Sequence, residues 1–357
     1  MTLEELRRRI DELDRQLVAL LNERTRVAIE IGRIKRERGE SIFAPDRETQ
    51  VFDRTRAVNE GPLSDASLQA IYREIMSAAI ALQRPLNIAY LGPPATFTHQ
   101  AARLRFGASV QYSSCDTISD VFTSVEKGRA DYGVVPIENS TEGAVTHTLD
   151  ELAETSLKIV AEVYLPISHH LLARCPKEQI RKIYSKPEVF GQCRRFLQSE
   201  MAGVDLVPVS STARAAEMAA AEPCAAALAG AQAAETYGLE IVASEVQDLR
   251  GNTTRFLVVG AACGKPTGHD RTSLLFSVQH RVGALHRALA AFSEHGVNLC
   301  KIESRPNRTA AWEYYFYVDV EGHMDDPPVA AAIAQLEREC TVLRVLGSYP
   351  RAWDRGE

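Results

Sequence analysis

Asp131-Tyr132-Gly133-Val134-Val135-Pro136-Ile137-Glu138-Asn139-Ser140-Thr141-Glu142-Gly143 opens as an apolar, β-branched run and ends as a string of small polar residues. Tyr132 to Ile137 reads as a short buried strand. The run then empties into hydroxyl and amide side chains ahead of a segment that can start a helix near Ala144. Such a turn leaves backbone N–H groups without partners facing one point, which suits a small anion. The chemistry recurs in two places. Strand 87–91 runs into Gly92-Pro93-Pro94-Ala95-Thr96-Phe97-Thr98-His99, and Gly251-Asn252-Thr253-Thr254-Arg255-Phe256 leads into strand 257–259. Three polar loops at strand ends predict one crevice for a polar, acidic small molecule. A hydroxyl-rich turn also serves as a plain cap, so each loop taken singly keeps that second reading.

A chain of 357 residues is too long for one ordinary core, and two or three domains are expected. Hydrophobic content of 45% and charged content of 25% are those of a globular protein. The net charge of −6 gives no reason to expect nucleic acid, and no apolar run reaches membrane-spanning length. Seven scattered cysteines without close pairs argue for reduced thiols in a cytoplasm rather than a zinc site or disulfide framework. Neither a Walker A motif nor Gly-x-Gly-x-x-Gly after a strand is present, so no cofactor is expected.

Residues 3–38 lack proline and place Leu6, Ile10, Leu13, Leu17, Leu20, Val27, Ile31 and Ile34 at steps that make one long helix with a continuous seam. Arg24 interrupts that seam. Lys35 follows three turns on in nearly the same direction, so the guanidinium either meets an anion or snorkels out. A second helix starts at Pro45 and a third spans 63–83. Two short helices cannot cover the long one, whereas a second copy of the chain would.

From 85 the pattern alternates. Strands are expected at 87–91, 110–112, 132–137, 157–164, 168–173, 182–184, 205–209, 225–229 and 255–259, with helices at 118–127, 189–198 and 212–221. This suits two α/β lobes joined by crossing segments near Leu165 and Ile241. After a linker at 264–270, strands at 273–278, 298–304, 313–320 and 342–347 alternate with helices at 283–295 and 328–340. That βαββαβ order belongs to a ferredoxin-like sandwich.

In this order and spacing, Gly-Pro-x-x-Thr-Phe-Thr-His, Val-Val-Pro-Ile-Glu-Asn-Ser and Thr-Arg-Phe resemble prephenate dehydratase. Residues 1–84 resemble the all-helical chorismate mutase domain. The C-terminal block resembles an ACT regulatory domain through Gly283-Ala284-Leu285 and Glu303-Ser304-Arg305-Pro306. The resemblance implies a multidomain fold: an all-α mutase domain at 1–84, a two-lobed α/β dehydratase domain of periplasmic-binding-protein type at 85–265, and an α+β ACT domain at 270–357. It implies a bifunctional, cytoplasmic enzyme that converts chorismate to prephenate and prephenate to phenylpyruvate, carbon dioxide and water, with phenylalanine as effector. Homodimers or higher homo-oligomers are implied too, while no metal, nucleic acid or membrane is involved.

On this resemblance Arg7, Arg24, Lys35, Arg47, Glu48 and Gln83 form the mutase site, with Arg7 supplied by the other protomer. Arg7 and Arg24 lie about 100° apart around one helix axis, which agrees. Arginines fork onto the two carboxylates, Lys35 and Gln83 donate to the ether oxygen, and Glu48 takes a substrate hydroxyl. Ala44 and Ala79 depart from residues the family often has there. Thr254 leads the dehydratase set as hydrogen-bond donor to the departing oxygen, with Arg255 beside it. Thr96, Asn139, Ser140, Ser185 and Gln192 line the cleft. Lys186 stands where relatives often have histidine, and His169-His170 are either shuttles or satisfied strand residues. Gly283, Ala284, Leu285, Glu303, Ser304 and Arg305 mark the effector site. Two other readings stay open: a dehydratase preferring arogenate, and a non-catalytic amino-acid sensor.

Overall fold

The computed structural model describes residues 1–39, 42–306 and 314–352, so position 313 of the expected strand and the tail from 353 lie outside the described residues. The chain divides into two compact units. One comprises Met1–Asn87 together with Arg105–Gln111, and the other holds Ile88–Leu104 and the chain from Tyr112 onward.

The first unit is helical: α1 (Leu3–Glu37), α2 (Pro45–Ala57) and α3 (Asp65–Gln83). A capping box starts α1, in which the Thr2 hydroxyl accepts the Glu5 N–H and the Glu5 carboxylate accepts the Thr2 N–H. Ser64 caps α3 through the Ser67 N–H. All eight seam residues of α1 are exposed, from Ile34 at 38% to Leu20 at 62%, and Gly32 is the only buried residue of the helix. Gly32 is buried because Gln83 of α3 lies across it: a Cβ there would sit 2.7 Å from Gln83 Cγ.

The second unit begins with β1 (Asn87–Leu91), α4 (Phe97–Phe106), β2 (Gln111–Cys115), α5 (Ile118–Glu126), β3 (Tyr132–Asn139), β4 (Gly143–Ala144), α6 (Thr146–Glu154) and β5 (Lys158–Pro166). The chain crosses to a second lobe of β6 (His170–Ala173), β7 (Lys182–Ser185), α7 (Pro187–Gln192), α8 (Arg194–Glu200), β8 (Asp205–Pro208), α9 (Thr212–Ala221), β9 (Ala225–Ala229), α10 (Ala231–Tyr237) and β10 (Glu240–Ala243). It then returns as β11 (Thr253–Gly260). The first lobe's sheet runs β2-β1-β3-β11-β5 and the second lobe's runs β10-β6-β9-β7-β8. The chain passes between the sheets at 167–169 and 244–252, just beyond the expected positions: Leu165 lies in β5 opposite Thr254, and Ile241 lies inside β10 opposite Leu172. The helix expected at 189–198 is two helices broken at Cys193. The short, weakly patterned α10 and β10 had no strong signal in the sequence.

β12 (Asp270–Ser277), α11 (Ala284–Glu294), β13 (Leu299–Pro306), β14 (Tyr314–Glu321), α12 (Pro327–Glu339) and β15 (Val342–Pro350) make a sheet of order β13-β14-β12-β15. Strand alternation gives this sheet two jobs. Leu274, Phe276, Val318 and Val320 pack under α11 and α12. Leu275, Tyr317, Leu346 and Tyr349 join Val135, Ile137, Leu257 and Ile159 of the first lobe in one core. No described helix is long and apolar enough to cross a membrane.

Candidate functional site

Thr254 of β11 pairs in register with Asn139 of β3, and their side chains meet. Asn139 Nδ2 donates to Thr254 Oγ1 and to Asn252 Oδ1, each at 2.8 Å. Asn139 Oδ1 accepts from the N–H groups of Thr141 and Glu142 and from the Thr141 hydroxyl, which fixes the orientation of the amide. Thr254 Oγ1 is therefore held as an acceptor, and no acceptor among the described residues takes its proton. Ser140 closes the ring, donating its hydroxyl to Asn252 Oδ1 and accepting the Thr253 N–H. Asn252 was missed from the sequence, although it lies two residues before Thr254 and so on the same strand face.

The second lobe contributes Gln192. Its Nε2 donates to Glu142 Oε1 at 2.7 Å, and its Oε1 stands 2.9 Å from His169 Nε2, which therefore carries the imidazole proton. Burial holds His169 below its ordinary pKa against that hydrogen bond, and the ring is neutral near pH 7. Its Nδ1 is buried with no partner among the described residues.

Two expected cleft residues face elsewhere, and a third is spent locally. Arg255 is one residue from Thr254, so its side chain leaves the opposite face of β11. It donates to Glu162 (2.8 Å), Asp319 (2.5 Å) and the Tyr349 hydroxyl (2.9 Å) between the two sheets. Arg271 joins through Glu162 and Tyr164, and Ser273 through Asp319 and Tyr349. Burial pulls against the Arg255 charge, but Tyr349, Asp319 and Glu162 outweigh it and the guanidinium sits well above its ordinary value. Burial likewise opposes ionisation of Asp319, yet Arg255 and Ser273 hold its carboxyl below the usual range. Ser185 is fully buried and donates to the Leu228 carbonyl, so its hydroxyl is spent inside the second lobe. Thr96 caps α4, accepting the His99 N–H and donating to the Leu91 carbonyl.

In the helical unit Lys35 acts on Glu48, and Gln83 lies against the same stretch of α1. Lys35 Nζ donates to the Ile42 carbonyl at 3.3 Å and acts electrostatically on Glu48, while Gln83 lies over Gly32, one turn before Lys35. Burial pushes the Glu48 carboxyl above the usual range, with Arg105 pulling against it. Arg24 is half-buried and Arg47 is exposed, donating to Gln50. Arg7 lies 17 residues before Arg24, roughly 25 Å along the same helix, and cannot share a ligand with it there.

At the C-terminal sheet Gly283 adopts φ +75 as the N-cap of α11, a conformation that a side chain strains. Ala284 is buried and Leu285 partly so; the Ala284 N–H meets the Arg281 carbonyl. Glu303 is half-buried and Ser304 exposed on the edge strand β13. Arg305 is engaged differently from expectation: it forks onto Asp150 of α6 with two bonds of 2.9 Å. Lys301 donates to Glu138, the neighbour of Asn139, at 2.6 Å.

Family models match the chain in three places: chorismate mutase type II over residues 6–84, prephenate dehydratase over 88–263 and the ACT domain over 272–338. A protein of Aquifex aeolicus named bifunctional chorismate mutase/prephenate dehydratase is 46% identical over 355 residues, covering 98% of both chains. The structure of prephenate dehydratase from Arthrobacter aurescens in complex with L-Phe is similar at TM-score 0.70 and 35% identity, covering 75% of this chain and 90% of that one. A structure titled as a quorum-quenching acylase is similar at TM-score 0.69 and 33% identity, covering 74% of this chain and 98% of that one.

Proposed function

The chain belongs to the bifunctional chorismate mutase/prephenate dehydratase family, and we infer that it converts chorismate to prephenate in its helical unit and prephenate to phenylpyruvate, carbon dioxide and water at the Thr254 site. The acylase-titled neighbour means that the fold alone does not select the chemistry. The mutase and dehydratase matches on one chain, together with the Thr254 geometry, favour this reading.

The mutase step is pericyclic and needs positioning and charge rather than a nucleophile. Arg24 and Arg47, with Arg7 of a second protomer, would fork onto the two carboxylates. Lys35 and Gln83 would donate to the ether oxygen as its bond breaks, and Glu48 would accept the ring hydroxyl. The open seam of α1 supports a homodimer: burying its exposed leucines and isoleucines at roughly 1.5–3 kcal/mol each is the largest gain available to this helix.

In the dehydratase step the ring hydroxyl and a carboxylate leave together, and aromatisation drives the reaction. The observation that carries the assignment is the Asn139-to-Thr254 bond, in which the Thr254 oxygen accepts; the hydroxyl proton then stays available for the departing hydroxyl. Asn139, Ser140 and Gln192 would bind and orient the substrate. Arg255 instead fastens β11 to the C-terminal sheet. Phenylalanine would bind at Gly283 to Leu285 and Glu303, its carboxylate at the start of α11 and its ammonium on Glu303. The enzyme is assigned to the cytoplasm. Chorismate turnover with product identification, with and without phenylalanine, tests the whole reading; faster turnover of arogenate than of prephenate would change the assigned substrate.

A further inference from the structure

Arg105 lies outside the residues that match the mutase family and inside those that match the dehydratase, yet residues 105–111 pack as part of the helical unit. Its Nη1 donates to Glu48 Oε2 at 2.5 Å. Both side chains are largely buried, at 17% and 13% exposure. The guanidinium is fixed from a second side by aromatic rings: its carbon stands 4.9 Å from the Phe43 centroid and 5.9 Å from that of Phe106, which themselves pack 4.8 Å apart. Glu48 thus has one oxygen anchored, while no donor among the described residues reaches Oε1.

We propose that Arg105 is a positioning residue of the mutase site, supplied by the dehydratase segment, which anchors one oxygen of Glu48 so that the other is presented to the substrate hydroxyl. The proposal rests on the reading of Glu48 as the hydroxyl acceptor. A carboxylate in this place has to stay charged although burial favours its neutral form. The charged groups acting on it are Arg105 from α4, Lys35 from α1 and Asp46 on its own helix, and Asp46 opposes the other two. Arg105 is the stronger of the two cations, and it alone makes a hydrogen bond to the carboxylate among the described residues. A planar guanidinium resting against the packed Phe43–Phe106 pair also fixes the carboxylate plane, which a mobile ammonium would not.

The test uses the full-length chain in four forms, R105Q, R105K, E48Q and R105Q/E48Q. Each is assayed for chorismate turnover from pH 5.5 to 9 and, in the same preparation, for turnover of supplied prephenate. Losing one charge-assisted hydrogen bond predicts a fall in chorismate kcat/KM of about 10- to 100-fold in R105Q. Its acidic limb should move to higher pH, because Glu48 loses the partner that keeps it ionised, and prephenate turnover should be unchanged. R105K should recover part of both losses. R105Q/E48Q should fall no further than E48Q, since Arg105 acts only through Glu48. An unmoved pH limb with normal chorismate kinetics in R105Q, beside an impaired E48Q, overturns the proposal while leaving the Glu48 reading intact. Equal loss of both activities in R105Q and R105K without a shift of the limb overturns it as well, leaving a purely structural role. Normal chorismate turnover in E48Q overturns the Glu48 reading itself.

Discussion

Replacing Arg255 with glutamine tests whether this residue serves the cleft or the join between the two sheets. The guanidinium makes three hydrogen bonds, to Glu162, Asp319 and Tyr349, with its side chain only 6% exposed. Removing one partner of a buried ion pair costs about 3–5 kcal/mol, because the abandoned carboxylates remain buried. Part of that is offset here. Glu162 keeps Arg271 at 2.5 Å and the Ala352 N–H at 3.0 Å, and Asp319 keeps the Ser273 hydroxyl. The expected cost is therefore near the lower end, about 3 kcal/mol, which for a unit of this size lowers the melting temperature by on the order of 10 °C. The pH dependence has a definite sign. Asp319 is held below its ordinary value in the folded chain, so its stabilisation is complete above the usual aspartate range and fades as pH falls through the depressed folded value. The gap between Arg255→Gln and the parent should narrow below about pH 4. Calorimetry across pH, with prephenate kinetics well below the transition, checks this. A variant of parental stability with a raised KM for prephenate would refute the reasoning and return Arg255 to the cleft.

Thr254→Ala should lower prephenate kcat by about 100-fold or more while chorismate turnover stays intact, since the lost hydroxyl belongs to one site only; equal prephenate rates would remove Thr254 from the step. Gly283→Val places a β-branched residue at φ +75, a strain of about 1–3 kcal/mol. Together with Glu303→Ala it should raise the phenylalanine concentration needed for inhibition with uninhibited rates retained, and unchanged inhibition curves would put the effector elsewhere. Arg305→Ala breaks the forked pair to Asp150 without touching the Thr254 cluster. It should weaken inhibition more than phenylalanine binding measured by calorimetry, because Asp150 links β13 to the lobe that carries Asn139; parallel losses in both would mark Arg305 as an effector ligand instead.

The periodicities of this chain determined its elements. Steps of three and four placed α1 with a seam that is exposed along its whole length in one chain, and runs of β-branched residues bounded by polar turns placed β3 and β11. The polar loops at the strand ends marked the neighbourhood of the site, but it was the family resemblance that singled out Asn139, Ser140 and Thr254, because hydroxyl and amide groups in such turns also serve as local caps. What these patterns do not encode is the partner each side chain meets. Period two already separates Thr254 from Arg255, but only the packed sheets show what waits on the far face: Glu162, Asp319 and Tyr349 come from positions 64 to 94 residues away. The same holds for Ser185, whose hydroxyl goes to Leu228, for Arg305, which goes to Asp150, and for Arg105, which goes to Glu48. Local propensity acts over a few residues, whereas a buried charge or hydroxyl is satisfied by whatever the tertiary fold brings within about 3 Å.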